Sequence, residues 1–284
     1  MNLLRQGLGQ AYRLTLKMIA QYRLGEIGAL SAQLTYYFIL SFFPFLIFLM
    51  NLISYTPFSS ELLLKNLQPL LAERSYEMIE AYVQEIGDND PKTILSLSIL
   101  GTLWASSTGV LAMMKGLNKA YGTLDKRSYW KIRGIAIVFT LGFAGISVIS
   151  LSLLVFGAMI WHVLSTYYDL PSGVYFSWSV VQLLIPIMTM FIVFTWIYVV
   201  VPNRSLRVKQ VLPGALFTTV GSILISMAFA FYVNLWGSFY VYGSIGGVIV
   251  LLIWLYISSI MILLGGQLNA MLMERDQTNA SSAV

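Results

Sequence analysis

The sequence predicts an all-α polytopic membrane protein with six transmembrane helices, an amphipathic N-terminal interfacial helix and short outer-face helices. Of its 284 residues, 58% are hydrophobic and 10% are charged, whereas soluble domains carry roughly 25% charged residues. The mean hydropathy of +0.77 points the same way. Charged residues are also absent from five long stretches of the chain: residues 27–60, 93–114, 134–168, 170–203 and 210–273.

Each uncharged stretch is long enough to cross a membrane, because a helix needs about 20 apolar residues to span the hydrocarbon core. The first four stretches hold one crossing each. The fifth holds two, since two Gly-Ser pairs interrupt it between residues 236 and 244. A transmembrane domain over residues 30–268 follows, with spans at about 30–55, 93–114, 134–165, 175–201, 211–236 and 244–268.

Residues 1–29 predict an amphipathic helix that lies on an anionic membrane face. Apolar residues recur there at helical spacing from Leu4 to Tyr22, and four basic residues lie between them. No small-residue cleavage site follows, and the first span is too long for the apolar core of a signal peptide. A short solvated tail is the alternative interpretation.

The distribution of lysine and arginine predicts the orientation, because these residues accumulate in cytoplasmic connections. Residues 1–29 contain four of them, 115–133 six, 202–210 three and the 269–284 tail one, whereas 56–92 contains three and the other two alternating connections none. Fourteen of the 17 basic residues therefore share one side with both termini. We expect that side to be the cytoplasm.

The connection 56–92 is too long to be a simple loop, and it holds seven of the twelve acidic residues. Pro69 separates a Leu-rich part from an apolar helical stripe at residues 79–86. We expect two short amphipathic helices on the outer face. Their acidic surface is a candidate site for an envelope protein partner or a cation, and a solvated face is the alternative.

Small residues at four-residue intervals let membrane helices approach closely. Five of them lie in register in the fifth span, three lie in the second span, and two open the sixth. The resulting seams predict helix packing, either within the bundle or in a homo-oligomer. The helix-packing residues are Gly214, Thr218, Ser222, Ser226, Ala230, Gly101, Ala105, Gly109, Gly243 and Gly247.

Prolines lie inside the first and fourth spans, where each removes a backbone donor and kinks its helix. Interrupted helices at matching positions indicate a transport site in inverted-repeat transporters, although prolines are also common in ordinary membrane helices. Uncharged polar residues can line such a path or simply bond a neighbouring helix. The substrate-path candidates are Ser41, Pro44, Asn51, Gln182, Pro186, Asn234 and Gln267.

Topology alone explains the excess of basic residues, but those of the 115–133 connection can in addition bind anionic lipid headgroups. Membrane lipids are thus the expected partners. Nucleic acid is not expected, because no segment is large enough to form a separate basic domain. The connection holds Lys115 and Lys119, and the candidates named for anionic-lipid contact are Lys126, Arg127, Lys131 and Arg133.

The sequence gives no support for an enzymatic activity. The chain has no cysteine and one histidine, His162, near the outer end of the third span. A structural histidine at the interface and a proton relay are its two interpretations. The carboxylates expected on the cytoplasmic side are scattered, so we predict no metal site and no cofactor. They are Glu26, Asp125, Glu274 and Asp276.

Four segments resemble signatures of the YihY/BrkB family of bacterial inner-membrane proteins. They are ALSAQLTYYFILSFFPFL at 29–46, WASSTGVLAMMKGLNKAYG at 104–122, VVPNRSLRVKQVLPGALFTT at 200–219 and YGSIGGVIVLLIWLYISSIMILLGGQLNA at 242–270. The resemblance implies six spans in the bacterial cytoplasmic membrane with both termini inside. Family members often carry glutamate where this chain has Gln267, which weakens the idea of a titrating carboxylate there.

The resemblance implies little about activity. Members were once labelled ribonuclease BN, a name that these residues do not support, and some relatives have been linked to serum resistance or to envelope-lipid export. Our leading hypothesis is a transporter-like protein that moves, or helps to move, a lipid or amphiphilic envelope precursor. A non-transporting scaffold that binds partner proteins is the alternative, and a nuclease is disfavoured.

Overall fold

A computed structural model describes residues 26–54, 94–167, 172–235 and 243–281. These residues form helices and connecting turns, with no strand in the described ranges. The helices predicted within residues 1–29 and 56–92 lie outside these ranges, apart from residues 26–29. The six helices are α1 (Ile27–Ser54), α2 (Ile94–Ala120), α3 (Tyr129–Tyr167), α4 (Ser172–Val200), α5 (Val208–Leu235) and α6 (Gly243–Ser281).

Apolar residues dominate the helices along most of their length. Four helical stretches in the described residues are long and apolar enough to cross a membrane: Tyr129–Ser150, Leu183–Val200, Val208–Val233 and Gly247–Arg275. A shorter apolar stretch covers Ile27–Phe42 in α1. The prediction of an all-α polytopic membrane protein is confirmed.

Two helices are much longer than the thickness of the hydrocarbon core requires. α3 and α6 each contain 39 residues, which corresponds to about 58 Å, whereas the hydrocarbon core is about 30 Å thick. α6 continues from the predicted span end at residue 268 to Ser281. Residues 269–281 contain neither glycine nor proline, so no residue there interrupts the helix. The first charged residue after an apolar stretch indicates where the hydrocarbon core is expected to end. The helix itself can continue beyond that residue.

The chain forms two compact units, which are described separately. The first unit contains the described parts of Met1–Ile39, Thr108–Ile135 and Met190–Val284. The second contains the described parts of Leu40–Ser107 and Ala136–Thr189.

In the first unit, α5 and α6 pack at close range where both carry glycine. A Cβ atom added to Gly214 would overlap the backbone carbonyl of Gly265 and the side chain of Asn269. One added to Gly265 would overlap Thr218 and Tyr198. Only hydrogen fits at these two positions, so the contact depends on glycine in both helices.

A buried hydroxyl pair joins α4 to this helix pair. Tyr198 of α4 is fully buried, and its hydroxyl donates to the backbone carbonyl of Ile262 in α6 at 2.7 Å. The same hydroxyl lies 2.6 Å from Oγ1 of Thr218 in α5. Both polar groups are therefore satisfied inside the unit, as burial requires.

The four-residue series predicted in the fifth span is buried along most of its length. Gly214, Thr218 and Ser222 are buried, and the indole Nε1 of Trp254 in α6 donates to Ser226 Oγ at 3.4 Å. Ala230, the last member of the series, is exposed.

The other predicted packing residues have mixed surroundings. Gly109 is buried and Ala105 is half-buried. A Cβ atom added to Gly101 or to Gly247 would meet nothing within 4 Å. The surroundings of Gly243 lie outside what the structure describes. The packing role of these positions stays a prediction.

The second unit has an apolar core formed by α1, α2 and α3. Phe48 and Ala144 are buried at its centre, and the rings of Phe45 and Phe143 lie 5.3 Å apart between centroids. Its other apolar members are Ile99, Leu103 and Val148. Elsewhere in this unit, Ser150 of α3 and Thr189 of α4 form a hydroxyl hydrogen bond of 3.1 Å.

Candidate functional site

The first unit contains a partly open cavity of about 820 Å³. It lies among α1, the last three turns of α2, the connection that follows α2 and the first turn of α3. Its lining residues are Tyr37, Thr108, Leu111, Ala112, Met114, Lys115, Asn118, Lys119, Gly122, Thr123, Leu124, Asp125, Tyr129 and Ile132. This volume is in the range of small-ligand sites.

The end of α2 brings the connection 121–128 over the cavity. Gly122 adopts a left-handed backbone with φ of +62°, and its N–H donates to the carbonyl of Lys119 at 3.0 Å. The N–H of Thr123 donates to the carbonyl of Asn118 at 2.9 Å. Glycine in this conformation is a common helix C-terminus, and it turns the chain so that residues 122–125 line the cavity.

The side chain of Asn118 fastens this turn to the α4–α5 connection. Its Oδ1 accepts a hydrogen bond from the backbone N–H of Asn203 at 2.6 Å, and its Nδ2 donates to Asp125 Oδ2 at 3.0 Å. Asn203 Nδ2 in turn donates to the carbonyl of Leu124 at 3.1 Å. Asn118 is buried, so these bonds satisfy a polar group that would otherwise be costly to bury.

Asp125 and Arg127 form the strongest pair in this connection. Arg127 Nε donates to Asp125 Oδ1 at 2.8 Å and Nη2 donates to Oδ2 at 2.7 Å. Hydrogen bonds from the Arg127 side chain are the main reason that the pKa of Asp125 lies below its ordinary value. Arg127 Nη2 also donates to the carbonyl of Val201 at 3.3 Å. The pair therefore holds the connection against the end of α4.

Two lysines line the cavity among the described residues. Lys115 and Lys119 are both exposed, and they lie one helical turn apart on the same face of α2. Lys119 Nζ forms an ion pair of 2.7 Å with Glu26, in which both side chains are well exposed. Lys115 has no ion-pair partner within the described ranges.

Apolar side chains of α2 and α3 supply a further part of the lining. Leu111 and Ile132 are half-buried, and Ala112 and Met114 are buried. The site can therefore accommodate an amphiphile, with an anionic group near the lysines and an apolar group between the helices.

The predicted substrate-path residues do not line this cavity. Ser41 and Gln267 are buried, Pro44 is half-buried and Pro186 is exposed. The side-chain surroundings of Asn51, Gln182 and Asn234 lie outside the described residues. None of the seven is among the described lining residues, and their role in a path stays a prediction.

The four residues predicted for anionic-lipid contact also lie outside the lining. Lys126 and Lys131 are exposed, Arg127 is engaged by Asp125, and Arg133 is buried. The cavity was not predicted from the sequence. The available signal was the four-residue spacing of Lys115 and Lys119 on an otherwise uncharged helix.

No group of three or more histidine and carboxylate side chains that could hold a metal ion occurs in the part of the chain that the structure describes. Asp125, the acidic residue of the cavity lining, accepts hydrogen bonds from Arg127 and Asn118.

Comparison with known proteins places the chain among bacterial membrane proteins. The family model described as virulence factor BrkB matches residues 18–283. A Bacillus subtilis protein named ribonuclease-like protein YfkH is 35% identical over 91% of this chain and 94% of its own length.

Two proteins named UPF0761 membrane proteins are more distant. The one from Aggregatibacter aphrophilus is 25% identical over 89% of this chain and 90% of its own length. The one from Nitrosospira multiformis is 26% identical over 88% of this chain, and the chain spans 60% of that protein's length. No solved structure matches the chain.

The family model covers nearly the whole chain, and the Bacillus protein aligns with 91% of it. The names of the UPF0761 membrane proteins agree with the long apolar helices of the structure. The chain belongs to the BrkB family of membrane proteins.

Proposed function

We propose that this protein is a transporter-like membrane protein that moves, or helps to move, a lipid or amphiphilic envelope precursor across the bacterial cytoplasmic membrane. The observation that carries the proposal is the cavity between α1, α2 and α3, which combines two exposed lysines with an apolar wall. The cavity lies at the ends of helices predicted to meet the cytoplasmic face.

The physical argument concerns the cost of moving a headgroup. A lipid crosses a bilayer slowly because its polar headgroup must leave water, which is costly in hydrocarbon without compensating contacts. A cavity that presents ammonium groups beside an apolar wall lowers that cost at the first step. The headgroup can then leave the interface while its chain stays between helices.

Other functions have weaker support. The name of the Bacillus relative suggests ribonuclease-like activity, but cleavage of RNA by metal ions needs several oxygen ligands on one site. Asp125 instead serves the Arg127 and Asn118 contacts described above. A non-transporting scaffold needs a partner surface, and the acidic connection 56–92 that would supply one lies outside the described residues.

The direct test is reconstitution of the purified protein in liposomes. Fluorescent lipids placed in the inner leaflet become accessible to a membrane-impermeant quencher when they move outward. We expect faster movement than in empty liposomes for at least one member of a panel of anionic, zwitterionic and neutral lipids. Rates equal to those of empty liposomes over the whole panel would overturn the proposal.

A matched pair of variants tests the cavity itself. Ala112→Trp places a large ring in the cavity, because Ala112 is a buried lining residue. Val138→Trp adds the same ring at an exposed position of α3. We expect Ala112→Trp to reduce transbilayer movement and Val138→Trp to leave it unchanged, with gel filtration confirming that both variants fold. Crosslinking that captures a stoichiometric protein partner without any lipid movement would favour the scaffold.

A further inference from the structure

The cavity lining combines cationic and apolar side chains, and their order along α2 suggests how a ligand lies in it. Lys115 and Lys119 supply two ammonium groups on consecutive turns of α2. Leu111, one turn before Lys115 on α2, and Ile132 on α3 supply apolar surface. A ligand that contacts both kinds of side chain has a compact anion at one end and a hydrocarbon part at the other.

Ion pairs compensate part of the charge at the cavity, and Lys115 stays uncompensated within the described ranges. The acidic lining residue Asp125 is neutralised by its bidentate contact with Arg127. Lys115 has no ionic partner within the described ranges. An anion that enters the cavity therefore meets a net positive potential.

Lys119 can release Glu26 and bind another anion at a small cost in free energy. Its contact with Glu26 is an ion pair in which the side chains are 46% and 66% exposed, and exposed pairs of this kind contribute little to stability. The phosphodiester of a phospholipid carries one negative charge, as a carboxylate does, but between the two lysines it would interact with both ammonium groups. Glu26 thus acts as an internal competitor for Lys119.

Aromatic side chains also contribute to the cavity lining. Tyr37 of α1 and Tyr129 of α3 both line the cavity, and Tyr129 packs edge-on against Trp130 with ring centroids 5.5 Å apart. Tyrosine and tryptophan side chains concentrate at the level of lipid headgroups, where one end of the ring is apolar and the other end is hydrated. Their position fits a cavity that opens at headgroup depth.

We propose that this cavity is a binding site for the anionic headgroup of a membrane phospholipid, with its phosphate between Lys115 and Lys119 and an acyl chain along Leu111 and Ile132. The inference rests on the proposed function, because it names the class of lipid that would enter the path. Glu26 weakens the binding by competing for Lys119. Lys115 and Lys119 belong to the basic connection 115–133 for which the sequence allows headgroup contact, whereas the four candidates Lys126, Arg127, Lys131 and Arg133 do not line the cavity.

The experiment measures equilibrium binding to the full-length protein in neutral detergent, so that it does not depend on transport. The probes are phosphatidylglycerol and phosphatidylcholine with identical acyl chains, and bound lipid is counted by native mass spectrometry. We expect phosphatidylglycerol to bind about tenfold more tightly, since basic residues near a headgroup each strengthen the attraction.

Variants at the lysines assign the preference to the cavity. Lys115→Gln with Lys119→Gln should remove the preference, and Lys115→Arg with Lys119→Arg should retain it. The control is Arg207→Gln with Lys209→Gln, which removes the same charge from exposed positions outside the cavity lining and should change the affinity less than about twofold. Glu26→Gln should tighten phosphatidylglycerol binding about two- to threefold, because Lys119 loses its internal anion.

Several results would overturn the inference. Equal affinity for the two lipids would show that the cavity does not select a headgroup with net negative charge, which overturns the inference. An equal loss in the control variant would assign the preference to diffuse surface charge. Competition by inorganic phosphate at the affinity of the lipid would show that the site takes a free anion instead of a lipid headgroup. Selective binding without any transbilayer movement would refute the proposed function and leave this inference intact.

Discussion

The side-chain amide of Asn269 in α6 bonds the backbone of α5 next to Gly214. Its Oδ1 accepts from the Gly214 N–H at 2.7 Å, and its Nδ2 donates to the carbonyl of Val211 at 3.2 Å. The two groups flank Pro213, which has no N–H to offer and disturbs the helix ladder around it. Asn269 is fully buried, so one side chain satisfies backbone groups of α5 that water cannot reach.

Replacement of Asn269 by leucine should therefore destabilise the α5–α6 pair. Leucine has a similar size but cannot bond either backbone group, and two lost hydrogen bonds correspond to about 1–3 kcal/mol. We expect a clearly lower melting temperature in detergent. The control is Gln277→Ala, an exposed position of the same helix, which should leave the melting temperature unchanged. Equal stability of Asn269→Leu and the native protein would contradict the importance of these bonds.

Glycine positions that look alike in the sequence should respond differently to alanine. Gly214→Ala introduces a Cβ atom that overlaps Gly265 and Asn269, and a clash with backbone cannot relax cheaply. Gly101→Ala and Gly247→Ala introduce a Cβ atom that meets nothing within 4 Å, and alanine favours a helix over glycine by about 1 kcal/mol.

We expect Gly214→Ala to lower thermal stability and the other two variants to keep or raise it. Thermal unfolding of the three purified proteins under one set of conditions provides the comparison. Destabilisation by Gly101→Ala or Gly247→Ala would indicate that a second copy of the chain packs there, which the predicted homo-oligomer requires.

The sequence predicted the fold class because hydrocarbon imposes strong constraints on composition. Uncharged stretches overlap the long apolar parts of α3 to α6, and the exact bounds of the predicted spans stay a prediction. The same pattern could not locate the end of α6, since Ser281 lies well past residue 273, where the last long uncharged stretch ends. Helix ends in water depend on local stop signals such as Gly122, and no such signal interrupts residues 269–281.

The candidate site was harder to predict, because its residues come from three helices and one connection. Lys115 and Lys119 were recognised as basic residues of a predicted cytoplasmic connection, which topology alone explains. Their proximity to Tyr37 and Ile132 depends on tertiary packing that no local pattern encodes. The hydrogen bonds of Asn118 and Asn203 are of the same kind, since 85 residues separate the two partners.

Acidification should weaken the contact between Asp125 and Arg127. The pKa of Asp125 is lowered in the folded protein mainly by hydrogen bonds from Arg127, whereas an unfolded aspartate titrates near its ordinary value of about 3.9. A lowered folded pKa means that the stabilisation is complete above the ordinary value. It is lost as the pH falls through the folded value.

We expect Asp125→Asn to lower the melting temperature at neutral pH, by an amount that corresponds to about 1 kcal/mol. The difference from the native protein should be constant above about pH 5 and should shrink below about pH 4. Glu26→Gln is the control, because its exposed pair with Lys119 should give a smaller effect. A difference that stays constant down to pH 3 would contradict the assignment to Asp125.

The orientation in the membrane can be tested directly, because the chain has no cysteine. Single cysteines at Ser128 and Ser205 lie at exposed positions of the connections predicted to be cytoplasmic, and cysteines at Ser60 and Ser172 report on the opposite side. An impermeant thiol reagent applied to intact cells should modify Ser60→Cys and Ser172→Cys. It should modify Ser128→Cys and Ser205→Cys only after the cells are opened.

Labelling after lysis confirms that each cysteine can react, which makes protection in intact cells meaningful. The physical reason for the expected pattern is that 14 of the 17 basic residues lie on the side of Ser128 and Ser205, and basic connections are retained in the cytoplasm. Modification of Ser128→Cys in intact cells with protection of Ser60→Cys would reverse the orientation. The cavity beside Lys115 would then face the outer leaflet, and the lipid that it meets would come from there.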